Sequence, residues 1–365
     1  MAKYPCTRHR GVSPRSFLML VLLLILVVLL GGCGTSTTTG SSNPSGPTPT
    51  TPRGLKGLIR EFRLPASNAQ TGDITNGSDG NLWFTEIIPD AQSGKIVGKI
   101  GRITPAGQIS EFPLPSNRYA TGITTGPDGN LWFTEPGQIG RITPAGQISE
   151  FPLPSNSASG DITTGPDGNL WFTEVIPNIQ NGKIVGKIGR ITPAGQVSEF
   201  PLSIPDSHLF GITTGPDGNL WFTEDLSNKG QSGKIGRITL ADQVSEFPLL
   251  SSYQPVSITT GPDRALWFIE TASNKGQSDK IGRITLAGQV SEFPLPSSSN
   301  GGGDITTGPD GALWFTGVQI GRITLAGQVS EFPLPSSSNG GDITTGPDGA
   351  LWFTEFGSNK IGRLS

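Results

Sequence analysis

The chain has 365 residues, with 52 Gly, 31 Pro, 7 Trp and 17 Phe, 15 % charged residues and a formal net charge of −3. No block of basic residues offers a nucleic-acid surface, and two histidines, His9 and His208, are too few for a histidine metal site. Cys6 and Cys33 both precede everything that reads as folded, so the folded part holds no disulfide, thiolate nucleophile or iron–sulfur cluster.

Lys3, Arg8, Arg10 and Arg15 form a basic start, and residues 17–30 are an unbroken apolar run, FLMLVLLLILVVLL. A run of about 14 residues is short of the ~20 a membrane span needs and suits the apolar region of a signal peptide. Leu30-Gly31-Gly32-Cys33 follows and resembles a bacterial lipobox, whose small residues admit a peptidase and whose thiol carries the lipid. Residues 1–32 therefore read as a lipoprotein signal peptide and Cys33 as the lipidation site, with an uncleaved N-terminal anchor as the alternative. Either reading puts the rest of the chain outside the cytoplasm, as an extracytoplasmic, membrane-anchored bacterial lipoprotein, expected to be a monomer. Residues 33–56 are rich in Ser, Thr, Pro and Gly, cannot bury enough apolar surface to fold, and read as a flexible tether.

From residue 57 to 365 one unit recurs, DITTGPDGNLWFTE…KIGRITPAGQVSEFPLP in its fullest form. Its anchors are Trp83, Trp132, Trp171, Trp221, Trp267, Trp314 and Trp352, spaced 38 to 50 residues apart. A period of that size with four short strands per unit predicts an all-β fold, a seven-bladed β-propeller of four-stranded antiparallel blades. DITTG is strand A, NLWFTE strand B, KIGRIT strand C and ISEFPLP strand D. Asp-Gly and Ala-Gly mark the A–B and C–D turns. The chain enters with an isolated strand D at Arg60–Pro65 and ends on a strand C at Lys360–Ser365, so the N-terminal strand completes the last blade and closes the ring. Arg102 and Glu111 flank Ala106-Gly107 at equal distance and are predicted to face each other across the C–D hairpin; Arg363 would meet Glu61 in the same way. The tryptophans are expected between blades.

The unit ITTGPDGNLWFTE…NKIGRIT resembles the virginiamycin B lyase (streptogramin B lyase) family over the whole repeat region. The resemblance implies a seven-bladed propeller that opens a cyclic depsipeptide by elimination at an ester, with a histidine base and a divalent metal, Mg²⁺. It places the family's histidines just before strand A in the last two blades, where this chain has Gly303 and Gly341. The corresponding residues of the other blades are Gly72, Thr121, Gly160, Phe210 and Val256. His208, two residues before Phe210, reads as an ordinary loop histidine.

The face that would carry this chemistry is acidic. Asp73, Asp161, Asp304 and Asp342 open strand A, and Glu86, Glu135, Glu174, Glu224, Glu270 and Glu355 close strand B, with Gly317 in blade six. Carboxylates near a central channel favour a hard cation, so Asp304, Asp342, Asp73 and Glu355 are the candidate metal ligands. The other reading makes these acids repeat residues that cap loops or pair with Lys99, Lys187, Lys234, Lys280 or Lys360. The B–C loops are long in blades one, three, four and five and short in two and six, building up one side of the face. Three functions stay open: a module binding a small-molecule or protein ligand on the acidic face, a metal-dependent carbon–oxygen lyase with a carboxylate base, and a structural surface protein.

Overall fold

The computed structural model describes residues 57–90, 95–115, 118–155, 157–178, 183–205, 207–226, 231–250, 252–272, 277–296, 302–335 and 338–365. The segments read as signal peptide and tether, and the lipidation site Cys33, lie outside these residues. Among the described residues, 28 strands form seven four-stranded antiparallel sheets, each in the order A-B-C-D. Blade 1 runs Gln70–Asn76, Leu82–Asp90, Lys95–Ile103 and Ile109–Pro113. Blade 7 takes strands A to C from Asn339–Thr345, Leu351–Phe356 and Lys360–Leu364, and its outer strand from Ile59–Arg63. That strand pairs Ile59 with Leu364 and Arg63 with Lys360, so the expected closure is present. The seven A strands are innermost and contact one another in turn around the axis.

Strand B supplies the core because both of its faces are covered by neighbouring blades. Trp83 joins Ile123, Leu131 and Phe133 of blade 2, and Trp352 joins Ile74, Leu82 and Phe84 of blade 1. All seven tryptophans are fully buried. Each indole packs on the strand-D Phe of its own blade, as Trp83 does on Phe112 at 5.4 Å and Trp352 on Phe62 at 5.4 Å. Each Nε1 donates to the Asp of the A–B turn, as Trp83 does to Asp79 at 3.1 Å. The polar edge of a buried indole is thereby satisfied while its rings fill the space between blades.

The expected Arg–Glu pairing across the C–D hairpin is not formed. Arg102 faces Ser110 and Glu111 faces Gly101. Gly107 has φ +90°, and its N–H bonds the Thr104 carbonyl while the Thr104 N–H bonds that of Gln108. This is a turn with a bulge, and its extra residue shifts the register by one. Arg102 instead lies 3.8 Å from Asp79 and over the Trp83 and Phe112 rings, while Glu111 accepts from Lys99. In blade 7, Arg363 meets Asp348 at 2.8 Å and Glu61 meets Lys360.

The B–C loops of blades 1 and 3 differ from those of the other blades by strand extension. Pro89 pairs with Ile96 in blade 1, and Pro177 with Ile184 in blade 3, so two long hairpins rise on the face where strand A begins. His208 opens a strand (His208–Thr214), and its ring stacks on Phe210 at 6.4 Å; it is not a loop residue.

Candidate functional site

The D–A and B–C connections share one face, called here the upper face; the A–B and C–D turns form the lower one. Near the upper face a belt of threonine hydroxyls ties each blade to the next. Thr85, Thr134, Thr173, Thr223 and Thr354 of strand B donate to the Thr121, Gly160, Phe210, Val256 and Gly72 carbonyls at 3.0, 2.7, 2.8, 3.1 and 2.8 Å, and Thr316 donates to that of Gly341. The same oxygens accept strand-A amides of their own blades, those of Asp73, Gly122, Asp161, Gly211, Asp304 and Asp342, at 2.8–3.0 Å. Blade 5 has Ile269 instead, and there Ser257 spans to Asp304 of blade 6. The threonine recurs visibly in the sequence, but its partner lies in the next blade, which no short-range pattern reveals.

The four strand-A aspartates cluster about the ring axis. Asp73 bonds the amides of Ile74 and, in blade 2, Ile123, at 2.6 and 2.7 Å. Asp161 does the same with Ile162 and, in blade 4, Ile212, at 2.7 and 2.9 Å. Asp304 accepts from Ser257 and, at 3.2 Å, from the Ile343 amide of blade 7. Among the described residues the Asp342 carboxylate accepts no hydrogen bond; it faces the other three acids, with no cation among its electrostatic partners. Burial, and then the charge of Asp73, push its carboxyl well above the usual range. Burial, and then the Asp161 charge, do the same for Asp73. Burial pushes Asp161 up to about 7 and raises Asp304 as well. Loss of solvation and like-charge repulsion both favour protons held within this group.

The strand-B glutamates are fully buried and lie apart from that ring. Glu174 accepts from Ser155 and Ser157 at 3.0 and 2.5 Å, Glu135 from Gln138 at 2.9 Å, and Glu355 from Ser338 and Ser358 at 2.6 and 3.1 Å. Among the described residues nothing donates to Glu86, and burial, then the Glu111 charge, push it up to about 7. The lysines expected beside these glutamates bond strand-D glutamates, as Lys187 does Glu199 at 2.7 Å.

Of the four acids singled out for a metal, the structure brings Asp73, Asp304 and Asp342 into one electrostatic group, while Glu355 is held by two serines. Asp73 and Asp304 spend oxygens on backbone amides, leaving Asp342 as the open carboxylate. Among the described residues no three His, Cys, Asp or Glu side chains are arranged to hold a metal ion. The set does not fit a directly ligated Mg²⁺.

Gly303 and Gly341 sit inside the threonine belt. A Cβ on Gly341 would fall within contact distance of Thr354 Oγ1, and one on Gly303 within that of Thr316 Oγ1. Gly72 and Gly160 meet Thr85 and Thr173 in the same way.

The sequence profile of the virginiamycin B lyase family matches residues 52–185 and 181–365. The chain belongs to that family. A streptogramin B lyase structure is 34% identical, aligned over 84% of this chain and 97% of its own, with a TM-score of 0.72. A catalytically inactive histidine-to-alanine variant of virginiamycin B lyase from Staphylococcus aureus with quinupristin is 36% identical over 84% of this chain and 99% of its own, TM-score 0.72. The WD40 propeller of Doa1, 12% identical over 84% and 97% of the two chains at a TM-score of 0.59, shares the fold alone. Comparison with curated protein sequences gave no match. Both positions where the resemblance places a histidine hold glycine in this chain, each against a threonine hydroxyl.

Proposed function

We propose that the chain is an exported propeller, lipid-anchored at Cys33, that binds a small-molecule or peptide ligand at its upper face without the histidine-based lyase step. The observation that carries this reading is glycine at 303 and 341, packed against Thr316 and Thr354, which supplies no proton acceptor at either position. General-base catalysis contributes about 10²–10⁴-fold, and a glycine supplies none of it. Quinupristin, present with the 36% identical Staphylococcus aureus relative, is the natural probe ligand. Calorimetric titration of the folded chain should show saturable binding, with the antibiotic recovered cyclic. A chain that gives no heat would remove cyclic depsipeptides from the reading.

A second reading is favoured by Asp342. It is adjacent to Gly341, and its open carboxylate has a raised affinity for protons, as a base replacing histidine would need. In that reading the chain is a carbon–oxygen lyase that removes a proton α to a carbonyl and breaks the ester C–O bond. The new double bond and the freed carboxylic acid stay in one linear molecule, isomeric with the ring. Dependence of such ring opening on Mg²⁺ would show as loss of product in EDTA.

A further inference from the structure

The lower face departs from the repeat in blades 4 to 6. The C–D turns of blades 1 to 3 carry Pro105, Pro144 and Pro193, whereas those of blades 4 to 6 carry Leu240, Leu286 and Leu325. Leu240 is 41% exposed, Leu325 43%, and Val244, at the lower end of its strand, 41%; Leu286 is partly buried. The A–B turn of blade 5 has Arg264 at φ +60°, where the other six blades have Gly80, Gly129, Gly168, Gly218, Gly311 and Gly349 at φ +71° to +75°. A left-handed non-glycine residue costs about 1–2 kcal/mol, so the exposed Arg264 side chain stands on this face against a local backbone penalty. Among the described residues its guanidinium has neither an ion pair nor a hydrogen bond.

The chain also enters the propeller on this face. Leu58, 65% exposed, exchanges backbone hydrogen bonds with Ser365, and Ile59 pairs with Leu364 at the lower end of blade 7. Arg60 follows and is exposed. Leu58, Leu325, Leu286 and Leu240 thus occupy successive blades from the entry point backwards. Twenty-three residues separate Cys33 from Gly57. A Gly/Ser-rich chain of that length has a root-mean-square reach of about 27 Å, and a five-residue strand spans about 17 Å. A tether of this reach holds the lower face beside the membrane, whereas lowering the upper face would spend most of its length on the side of the propeller.

We infer that the lower face of blades 4 to 7 docks on the lipid bilayer to which Cys33 is anchored, with the leucines at the acyl boundary and Arg60 and Arg264 among anionic headgroups, so that the upper face is directed away from the membrane. Leucines with basic residues on one surface are the composition of an interfacial membrane contact. This inference rests on the lipid-anchor reading.

The test uses the full chain, processed and extracted from membranes, in vesicles of phosphatidylglycerol and phosphatidylethanolamine. The mass of the N-terminal peptide first reports whether Cys33 carries lipid. The repeats contain no cysteine, so Leu325→Cys on the lower face and Val318→Cys, 47% exposed at the B–C end of blade 6, each give one labelling site for a polarity-sensitive dye. Nitroxide lipids should quench the dye at 325 severalfold more than at 318, and Leu240→Glu with Arg264→Glu should remove that difference. Equal quenching on a lipidated protein overturns the docking and leaves the anchor standing. A 325 probe shielded in detergent in a concentration-dependent way assigns the face to a second copy and overturns it too. An unlipidated Cys33 overturns the anchor and the docking together.

Discussion

Thr354 of blade 7 donates its hydroxyl to the Gly72 carbonyl of blade 1 at 2.8 Å while accepting the Asp342 amide at 2.8 Å. The strand that closes the ring at its rim is therefore matched by a hydrogen bond near its axis. Thr354→Val keeps the shape and removes both bonds, leaving two buried backbone groups unpaired. The expected loss is about 1–3 kcal/mol, read from urea unfolding. Ile269 already lacks the hydroxyl, so Ile269→Val should shift the midpoint less.

Gly341 and Thr354 act as one unit. Gly341→Ala places a Cβ against the Thr354 hydroxyl and should destabilise by about 1–3 kcal/mol as overpacking. In a Thr354→Ala background the obstructing oxygen is gone, and the same change should cost less. The interaction energy of the double-mutant cycle reports that coupling directly. Additive costs would show that the close approach does not determine the residue at 341.

The axial acids set a pH dependence. Burial pushes Asp161 up to about 7 from 3.8; burial, and then the Asp161 charge, raise Asp73, and burial, and then the Asp73 charge, raise Asp342, both well above the usual carboxylate range. The folded state then binds protons more tightly than the unfolded chain. Their stability contribution is complete below the unfolded value near 3.8 and is lost as pH rises through the raised folded values, about 7 for Asp161. Thermal melts should give a higher midpoint at pH 5 than at pH 8, and Asp342→Asn should raise the midpoint at pH 8 and flatten the slope. The turn aspartates act in the opposite window. Burial raises Asp79, but hydrogen bonds from Asn81 and Trp83 outweigh it and leave it lowered. That contribution is present above 3.8 and lost as pH falls.

The blade count, the strand order and the closure are legible in the sequence because Trp83 and its six equivalents recur with the same turn residues, and because an orphan strand D at one end matches a missing one at the other. The Arg102–Glu111 pairing was not legible. Counting outward from Ala106-Gly107 assumes a two-residue turn, and the left-handed Gly107 adds a residue that moves every partner by one. The axial acids can be picked out as residues, but not their differences. Asp73 and Asp161 reach amides of the next blade, whereas the amide that Asp342 would reach, that of Ile74, is taken by Asp73. Glu355, read alongside them, is turned towards Ser338 and Ser358, and the nearest-neighbour pattern of strand B does not show that.

On the reading proposed above, this member of the virginiamycin B lyase family holds its ligand without opening it. Incubation of the folded chain with quinupristin and Mg²⁺, followed by chromatography and fragment mass spectra that separate the cyclic antibiotic from its linear isomer, decides between holding and opening. The antibiotic is expected to stay cyclic. A linear isomer that fails to form in EDTA and with Asp342→Asn would contradict it and assign Asp342 as the base.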